Sequence, residues 1–250
     1  KGWISMNASQ TLISYSQFSE DITLLQYLYK IDNGFYLDIG ANDPAVLSVT
    51  KMFYNAGWRG VNIEPLPAQH KLLESARPRD INIRAAAGST DKTQALYQMG
   101  VMSTFMENMV RNKRRTPRLA VQVRNTTSLV REVVDLKTQP IHFCKIDVEG
   151  YEEESLKGID FKTLRPWMFV IEANHVTLKT VTGADKEQRK VPVWEDILID
   201  NGYSFTETVA INRYYVDNAH PELLKGRLNR PELLKMFNII SAKTKQRIQS

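Results

Sequence analysis

Gly34-Phe35-Tyr36-Leu37-Asp38-Ile39-Gly40-Ala41-Asn42-Asp43-Pro44 combines the pattern of a buried strand with that of a ligand-binding turn. Apolar residues run into an acid, a turn with a glycine follows, and residues 46–54 then have the pattern of a helix. Such a unit opens a doubly wound α/β fold, in which ligands bind beyond the carboxyl ends of the strands. Gly40 permits a sharp turn with close backbone approach. The N-terminus of the following helix would suit an anionic group.

The composition of this turn argues against two common nucleotide sites. A dinucleotide fingerprint needs G-x-G-x-x-G and a Walker loop needs G-x-x-x-x-G-K-[ST], whereas this turn has only Gly40, with Asn42 where a second glycine would stand. The next predicted strand, 60–65, carries Glu64 at its tip. A carboxylate there can accept two O–H donors from a ribose diol. A solvated turn acid is the alternative, but acids at the tips of two consecutive strands, Asp38 and Glu64, favour a binding site.

Two stretches further along the chain carry weaker signals. Residues 81–87 have the pattern of a third strand, and the small side chains of Ala85 and Ala86 leave room for a flat ring such as adenine. Close helix packing is the other explanation of these alanines. Residues 111–118 hold five cations, which indicate either a solvated loop or a clamp for a phosphorylated or acidic acceptor.

The second informative stretch is Ile141-His142-Phe143-Cys144-Lys145-Ile146-Asp147-Val148-Glu149-Gly150, a strand that ends in acids and a glycine at the same edge. With a period of two, Lys145, Asp147 and Glu149 share one face. Three charges on one face of a central strand are costly unless they are paired or functional. A structural ion pair of Lys145 is the alternative to a functional role, which we favour for Asp147.

The next predicted strand, 167–175, brings Glu172, Asn174 and His175 to that edge. A single histidine is usually structural. One that emerges beside two acid-tipped strands is a better candidate for a general base, because its unperturbed pKa lies near neutrality.

The rest of the pattern predicts one domain over residues 1–250. Its parts are a helical lead-in at 1–33, an α/β core at 34–217 and a basic, mainly helical tail at 218–250. In the lead-in, a helix begins at Ser19, which can cap it. The other predicted elements are helices at 67–76, 128–136, 152–156 and 193–201, an added strand at 94–99, a polar loop or lid at 180–190, and a hairpin of strands at 203–210 and 211–216.

The composition further limits the fold class, the location and the partners that we expect. The chain has 250 residues, 42% of them hydrophobic, which suits one globular α/β domain. We expect no transmembrane segment and no secretory signal peptide, because no sufficiently long apolar run is present. Cys144 is the single cysteine, so an intramolecular disulfide and a multi-cysteine zinc site are excluded, and a cytoplasmic location is expected. The formal net charge of +5 is too small to indicate nucleic acid as a partner.

Several blocks together resemble the FkbM family of S-adenosylmethionine-dependent methyltransferases. The specific ones are 38–44, Gly57-Trp58-Arg59-Gly60-Val61-Asn62-Ile63-Glu64-Pro65 and 145–150. Supporting blocks are 16–21, 171–172, 212–216 and 220–223, and the resemblance covers about 15–224. It implies a class I methyltransferase fold, a mostly parallel seven-stranded sheet with a C-terminal antiparallel hairpin. It also implies O-methylation of a hydroxyl, often on a sugar, glycan or polyketide.

The resemblance also implies roles for individual residues. Glu64 would hold the ribose, Ala85 and Ala86 would lie near the adenine, and Gln17 and Asp21 would close over the cofactor. Ser48 would reach the same site, and the methionine part would be lined by Asp38, Gly40, Ala41 and Asn42. The position of Ser19 is often glycine in the family.

The expected reaction is an in-line methyl transfer to a hydroxyl, which needs a base. Asp147 and His175 are the candidates for that base, and Glu149 would orient one of them or hold other hydroxyls of the acceptor. A divalent metal on Asp147 and Glu172 is an open alternative. The acceptor is a small molecule or glycan, with phosphorylated and lipid-linked forms both open.

Two other functions remain open from the sequence. One is a nucleotide-sugar or NAD-binding enzyme on a similar sheet, against which the missing glycines count. The other is a non-catalytic, cofactor-binding partner in glycan assembly, against which the acids at Asp147 and Glu149 count.

Overall fold

The computed structural model describes residues 11–100, 102–173, 178–182 and 188–242. Its strands are β1 Thr11–Ser14, β2 Phe35–Ile39, β3 Arg59–Ile63, β4 Ile81–Ile83, β5 Ala86–Gly88, β6 Lys92–Tyr97, β7 Arg118–Asn125, β8 Phe143–Ile146, β9 Met168–Glu172, β10 Leu178–Thr182, β11 Gln188–Pro192, β12 Tyr203–Val209, β13 Asn212–Asp217 and β14 Asn238–Ser241. Its α-helices are α1 Glu20–Leu28, α2 Lys51–Asn55, α3 Pro67–Ala76, α4 Thr126–Arg131, α5 Glu152–Lys157, α6 Glu195–Asp200, α7 Pro221–Lys225 and α8 Arg230–Met236.

The central sheet has seven strands in the order β12-β13-β9-β8-β2-β3-β4. Neighbours from β9 to β4 are parallel, and β13 runs antiparallel to both β9 and β12. This confirms the predicted class I methyltransferase sheet with its C-terminal hairpin. The carboxyl ends of β2, β3, β8 and β9 open on one edge, where ligands bind in such sheets.

The apolar run of β2 is explained by burial on both faces of the sheet, as expected for a central parallel strand. Leu37 and Ile39 pack into the core on one face, and Tyr36 packs into the core on the other, beside Phe143. Asp38 ends up buried at the carboxyl end of the strand. The apolar residues therefore fix the register that carries this acid to the ligand edge.

The segment after β2 differs from the prediction. A helix over 46–54 is wrong at its start, because α2 begins only at Lys51. The Asp43 carboxylate accepts hydrogen bonds from the N–H groups of Ala45 and Val46, at 2.8 and 2.7 Å, and Leu47 has a positive φ of 59°. This turn prevents a helix there, so the expectation of an anion-binding helix N-terminus behind Gly40 is also wrong.

The predicted third strand is split between two sheets. β4 extends the central sheet, whereas β5 pairs parallel with β7, which pairs antiparallel with β6. The chain changes direction at residues 84–85, where the N–H of Ala85 donates to the carbonyl of Ile83 at 3.2 Å. A short three-stranded sheet thus stands beside the ligand edge, and the predicted added strand at 94–99 is its β6.

Two polar regions are more ordered than predicted. Part of the predicted loop at 180–190 is the antiparallel hairpin β10–β11, with residues 183–187 outside the described residues. The tail contains α7 and α8 but also β14, which pairs parallel with β1. The lead-in and the tail therefore meet. Among the described residues, no helix combines the length and apolar character needed to cross a membrane.

The cap predicted at Ser19 is also wrong. Ser19 has a left-handed backbone, with φ 68°, and its side chain caps nothing. A positive φ is the conformation that glycine adopts at the least cost, which explains the glycine expected at this position.

Candidate active site

A cavity of about 370 Å³ runs along the carboxyl edge of the central sheet. Its volume lies in the range of small-molecule sites. One end is formed by residues 85–87, its middle by the turn at 38–42 with Glu64, and its other end by Asp147, Glu149 and Glu172. Gln17 and Glu20 of the lead-in also line it.

The turn at Gly40 requires glycine for two reasons. Its φ is +78°, and a Cβ there would lie 2.0 Å from the carbonyl oxygen of Asp147. The N–H groups of Gly40 and Ala41 donate to the carbonyl of Ile63, at 3.0 and 3.2 Å, which ties the turn to β3. The backbone of the first turn therefore lies directly against the segment that carries Asp147 and Glu149.

Lys145 connects the two parts of the cavity. Its buried ammonium donates to the carbonyl of Gly40 at 2.6 Å and lies 3.4 Å from Asp38 and 3.6 Å from Asp147. Burial lowers the pKa of Lys145, but the charges of Asp38 and Asp147 outweigh it and hold the pKa above its ordinary value. The lysine stays charged and orders both carboxylates.

Glu64 lies at the carboxyl end of β3 and is held by backbone donors. One oxygen accepts from the N–H of Asn42 and the other from the N–H of Leu66, both at 2.8 Å. Burial raises its pKa, which these hydrogen bonds oppose. Each carboxylate oxygen keeps a second lone pair, so Glu64 is oriented and can still accept two hydroxyl donors from the cavity.

Three carboxylates meet at the far end of the cavity. Ligand oxygens of Asp147, Glu149 and Glu172 lie within 4.8 Å of one another. Glu149 has a positive φ of 52°, and its carbonyl accepts from the hydroxyl of Thr104 at 2.7 Å. Burial, together with the charges of Asp147 and Glu152, raises the pKa of Glu149 to about 7. A carboxyl group that titrates near neutrality is suited to exchange a proton.

Most residues predicted for the site border this one cavity. They are Gln17, Asp38, Gly40, Ala41, Asn42, Ser48, Glu64, Ala85, Ala86, Asp147 and Glu149. Their gathering follows from the topology, since most of them stand at or just beyond carboxyl ends of parallel strands.

Asp21 and His175 differ from the rest. Asp21 is fully buried and does not border the cavity, and its carboxylate accepts from the hydroxyls of Ser14 and Ser16, each at 2.7 Å. Asp21 orders the lead-in, and its place over the cofactor stays a prediction. His175 lies outside the described residues.

Glu20 and Arg77 are two polar residues that shape the site and were not predicted from the sequence. Glu20 lines the cavity where Asp21 was expected, and it accepts from the side chain of Asn212 on β13 at 3.0 Å. Arg77 donates from its guanidinium to the hydroxyl of Ser48, a predicted site residue, at 3.0 Å. Both contacts join distant parts of the chain. The only signal in the sequence was the run of two acids at 20–21.

The site therefore consists of a class I methyltransferase sheet whose acid-tipped strands border one continuous cavity. Residues 38–205 match the Methyltransferase FkbM domain. The chain therefore belongs to the FkbM methyltransferase family, which confirms the resemblance found in its sequence.

Solved structures with a similar fold are distant in sequence. One is the crystal structure of Methyltransferase FkbM from Methylobacillus flagellatus KT, with 17% identity and a TM-score of 0.45 over 74% of this chain. This chain spans only 44% of that protein. Another is Aeropyrum pernix fibrillarin with natively bound S-adenosyl-L-methionine, with 12% identity and a TM-score of 0.41 over 86% of this chain and 76% of that one.

A third is Burkholderia thailandensis 1,6-didemethyltoxoflavin-N1-methyltransferase with its bound substrate and S-adenosylhomocysteine, with 9% identity and a TM-score of 0.37 over 79% of this chain and 74% of that one. No curated protein matches the sequence.

Proposed function

We propose that the cavity binds S-adenosylmethionine and transfers its methyl group to a hydroxyl of a sugar, a glycan or a similar natural product. The observation that carries this proposal is the continuity of the cavity from Glu64, through the Gly40 turn, to the carboxylates of Asp147, Glu149 and Glu172. On one side, Glu64 can accept hydrogen bonds from a ribose diol, and there is room for an adenine ring. On the other side, the carboxylates can bind hydroxyls and deprotonate them.

The cofactor would lie across the tips of β2 and β3. Its adenine fits against Ala85 and Ala86, whose buried small side chains line that end of the cavity. The ribose hydroxyls would donate to Glu64, and the methionine part would pass over the turn at 38–42. This orientation directs the methyl group toward Asp147 and Glu149.

The acceptor hydroxyl would lie among the three carboxylates. Bound S-adenosylmethionine would supply the methyl group: the hydroxyl oxygen would form a bond to the methyl carbon as the carbon–sulfur bond breaks, and the electron pair of the broken bond would stay on the sulfur of S-adenosylhomocysteine. Glu149 is the favoured base, because its pKa of about 7 suits proton transfer at neutral pH. Asp147, which Lys145 contacts at 3.6 Å, would hold and orient the hydroxyl.

A metal-assisted route is supported by the same carboxylates, because oxygens of Asp147, Glu149 and Glu172 within 4.8 Å could ligate a divalent cation. A bound cation would lower the pKa of the hydroxyl instead. Treatment with EDTA separates the two routes. If activity survives chelation, a carboxylate alone removes the proton of the acceptor hydroxyl. If activity is lost and Mg²⁺ restores it, a bound metal activates the hydroxyl.

The cofactor site is tested first by calorimetric titration of the wild type and Glu64→Gln with S-adenosylhomocysteine. We expect wild-type binding in the micromolar range and at least tenfold weaker binding in Glu64→Gln, about 1.4 kcal/mol. The matched control is Glu74→Gln, an exposed acid on α3, which should bind as the wild type does. Binding of NAD with no response to S-adenosylhomocysteine would refute the proposal.

The acceptor is identified with radiolabelled S-adenosylmethionine and a panel of monosaccharides, nucleotide sugars and lipid-linked sugars. Labelling of a hydroxyl in any of these supports the proposed substrate class. Labelling confined to amines or thiols would contradict O-methylation while leaving the methyltransferase assignment intact.

A further inference from the structure

The connection between β6 and β7 carries a strongly cationic surface. Arg111, Lys113, Arg114, Arg115 and Arg118 are all exposed. Their five charges equal the formal net charge of the whole chain, +5. Lys113 contacts Glu107 at 3.4 Å, whereas Arg111, Arg114 and Arg115 have no carboxylate partner in the part of the chain that the structure describes. We call residues 111–118 the basic loop.

The basic loop is fixed beside the mouth of the cavity. The N–H of Gln98 donates to the carbonyl of Pro117 at 2.8 Å, which closes the base of the connection. The Thr104 hydroxyl donates to the carbonyl of Glu149, and a Cβ on Gly150 would lie 3.1 Å from the sulfur of Met109. Consecutive Cα atoms are about 3.8 Å apart, so the basic loop begins within about 8 Å of this anchor.

The cavity also has an exposed apolar rim. Val46, Leu47 and Met102 line the cavity and are 66%, 37% and 52% exposed. The cations themselves do not line the cavity. They are spread over eight residues of an exposed loop, so they suit an extended anionic surface better than a single phosphate group.

From this charge complementarity we propose that the mouth of the cavity docks on an anionic lipid bilayer. The basic loop contacts the lipid phosphates, and Val46, Leu47 and Met102 enter the boundary between headgroups and acyl chains. Basic side chains beside exposed apolar ones are the combination that binds such surfaces. Docking in this orientation would present the carboxylates of the cavity to an acceptor held at the membrane. The proposal concerns binding only and does not depend on the proposed methyl transfer.

The test is co-sedimentation of the full chain with vesicles, measured without cofactor. One set of vesicles is phosphatidylcholine alone, and the other is an equimolar mixture with phosphatidylglycerol. The variant carries Arg111→Ser, Arg114→Ser and Arg115→Ser, which remove no side-chain contact seen among the described residues. The matched control carries Arg131→Ser, Lys137→Ser and Lys162→Ser, three exposed cations, of which the two lysines precede the amino ends of β8 and β9.

We expect the wild type to sediment with the anionic vesicles and to remain in solution with the neutral ones. Each cation removed should weaken binding about fivefold, so the triple variant should bind about a hundredfold more weakly. The control should bind as the wild type does. A further variant, Met102→Ser, should also weaken binding, and raised salt should weaken binding of the wild type.

Four outcomes would overturn the proposal. They are no binding to anionic vesicles, equal binding to neutral vesicles, an equal loss in the control variant, and loss of binding when soluble glycerol phosphate is added at the same phosphate concentration. The last outcome would assign the loop to a soluble phosphorylated ligand instead of a bilayer.

Discussion

Lys145 shows how one residue can set the chemistry of this site. Its ammonium contacts the Gly40 carbonyl, Asp38 and Asp147, so it holds the turn at 38–42 and the segment after β8 in one arrangement. Its charge also offsets part of the negative charge of the cavity. Glu149 is not one of these contacts, and burial with the charges of Asp147 and Glu152 raises its pKa to about 7.

The role of Glu149 predicts a particular pH dependence. A base must be unprotonated, so kcat/KM of the wild type should rise tenfold per pH unit at acidic pH and level off above pH about 7. Glu149→Gln should lower kcat/KM at least a hundredfold and remove this rise. The measurement is a pH–rate profile of methyl transfer to the acceptor found in the panel.

Glu153→Gln is the matched control for that measurement. Glu153 is four residues further along the chain, and its carboxylate contacts Lys157 at 3.0 Å at the surface. This control should keep the wild-type rate and profile. A Glu149→Gln enzyme that retained the wild-type profile would exclude Glu149 as the base.

The sequence predicted site residues where they follow a strand. Asp38, Glu64 and Asp147 each come at or just beyond the end of an apolar run, and parallel strands bring such positions to one edge. Glu20 and Arg77 could not be predicted in the same way. Their partners, Asn212 and Pro44, are distant in the sequence, and single-sequence patterns carry no information on such pairs.

The turn between β2 and α2 depends on a buried cation from another element. Arg77, at the end of α3, is fully buried, and its Nε donates to the carbonyl of Pro44 at 2.9 Å. The same guanidinium lies 3.6 Å from Asp80. This turn lines the cavity, so the shape of the cavity depends on a pair of charges, Arg77 and Asp80, that do not line it themselves.

Arg77→Met should therefore destabilise the protein strongly. Removal of one partner leaves Asp80 buried without its counter-charge, which costs about 3–5 kcal/mol of the free energy of unfolding. The measurement is urea denaturation followed by circular dichroism. The control, Arg84→Ala, changes an exposed arginine and should stay within about 0.5 kcal/mol of the wild type. Equal stability of the two variants would contradict this role for Arg77.

Elements with a regular apolar pattern were predicted well, and those shaped by local polar contacts were not. α3 spans Pro67–Ala76, as predicted, because proline starts it and Leu73 anchors it in the core. The helix after β2 was predicted to start too early, because the hydrogen bonds of Asp43 form a turn in its place. The division of residues 81–87 between two sheets could not be predicted, because both halves have the composition of strands.

At the scale of the whole molecule, the lead-in and the tail share a core with one face of the central sheet. Leu24 of α1 and Leu233 of α8 are buried in the same cluster as Phe143. The sequence indicated only a basic helical tail. The pairing of β14 with β1 could not be predicted, because it joins the two ends of the described chain. We predict that lead-in, core and tail unfold together as one unit.

A matched pair of leucines tests this prediction. Leu233 is fully buried, whereas its neighbour Leu234 is 49% exposed. Leu233→Ala should cost about 2–5 kcal/mol and shift a single unfolding transition, and Leu234→Ala should change stability by about 0.5 kcal/mol or less. The measurement is calorimetry with fluorescence as a second probe. A separate early transition in Leu233→Ala would show that the tail unfolds by itself.

The pairing of β1 with β14 also has a consequence for synthesis of the protein. The partners Thr11 and Asn238 are separated by 227 residues, which a ribosome needs roughly 10–45 s to add. During that interval β1 has no strand partner, and the adjoining segment with Gln17 and Glu20 lacks this support. The segment that carries Gln17 and Glu20 therefore gains the support of this strand pair only after the whole central sheet has been synthesised.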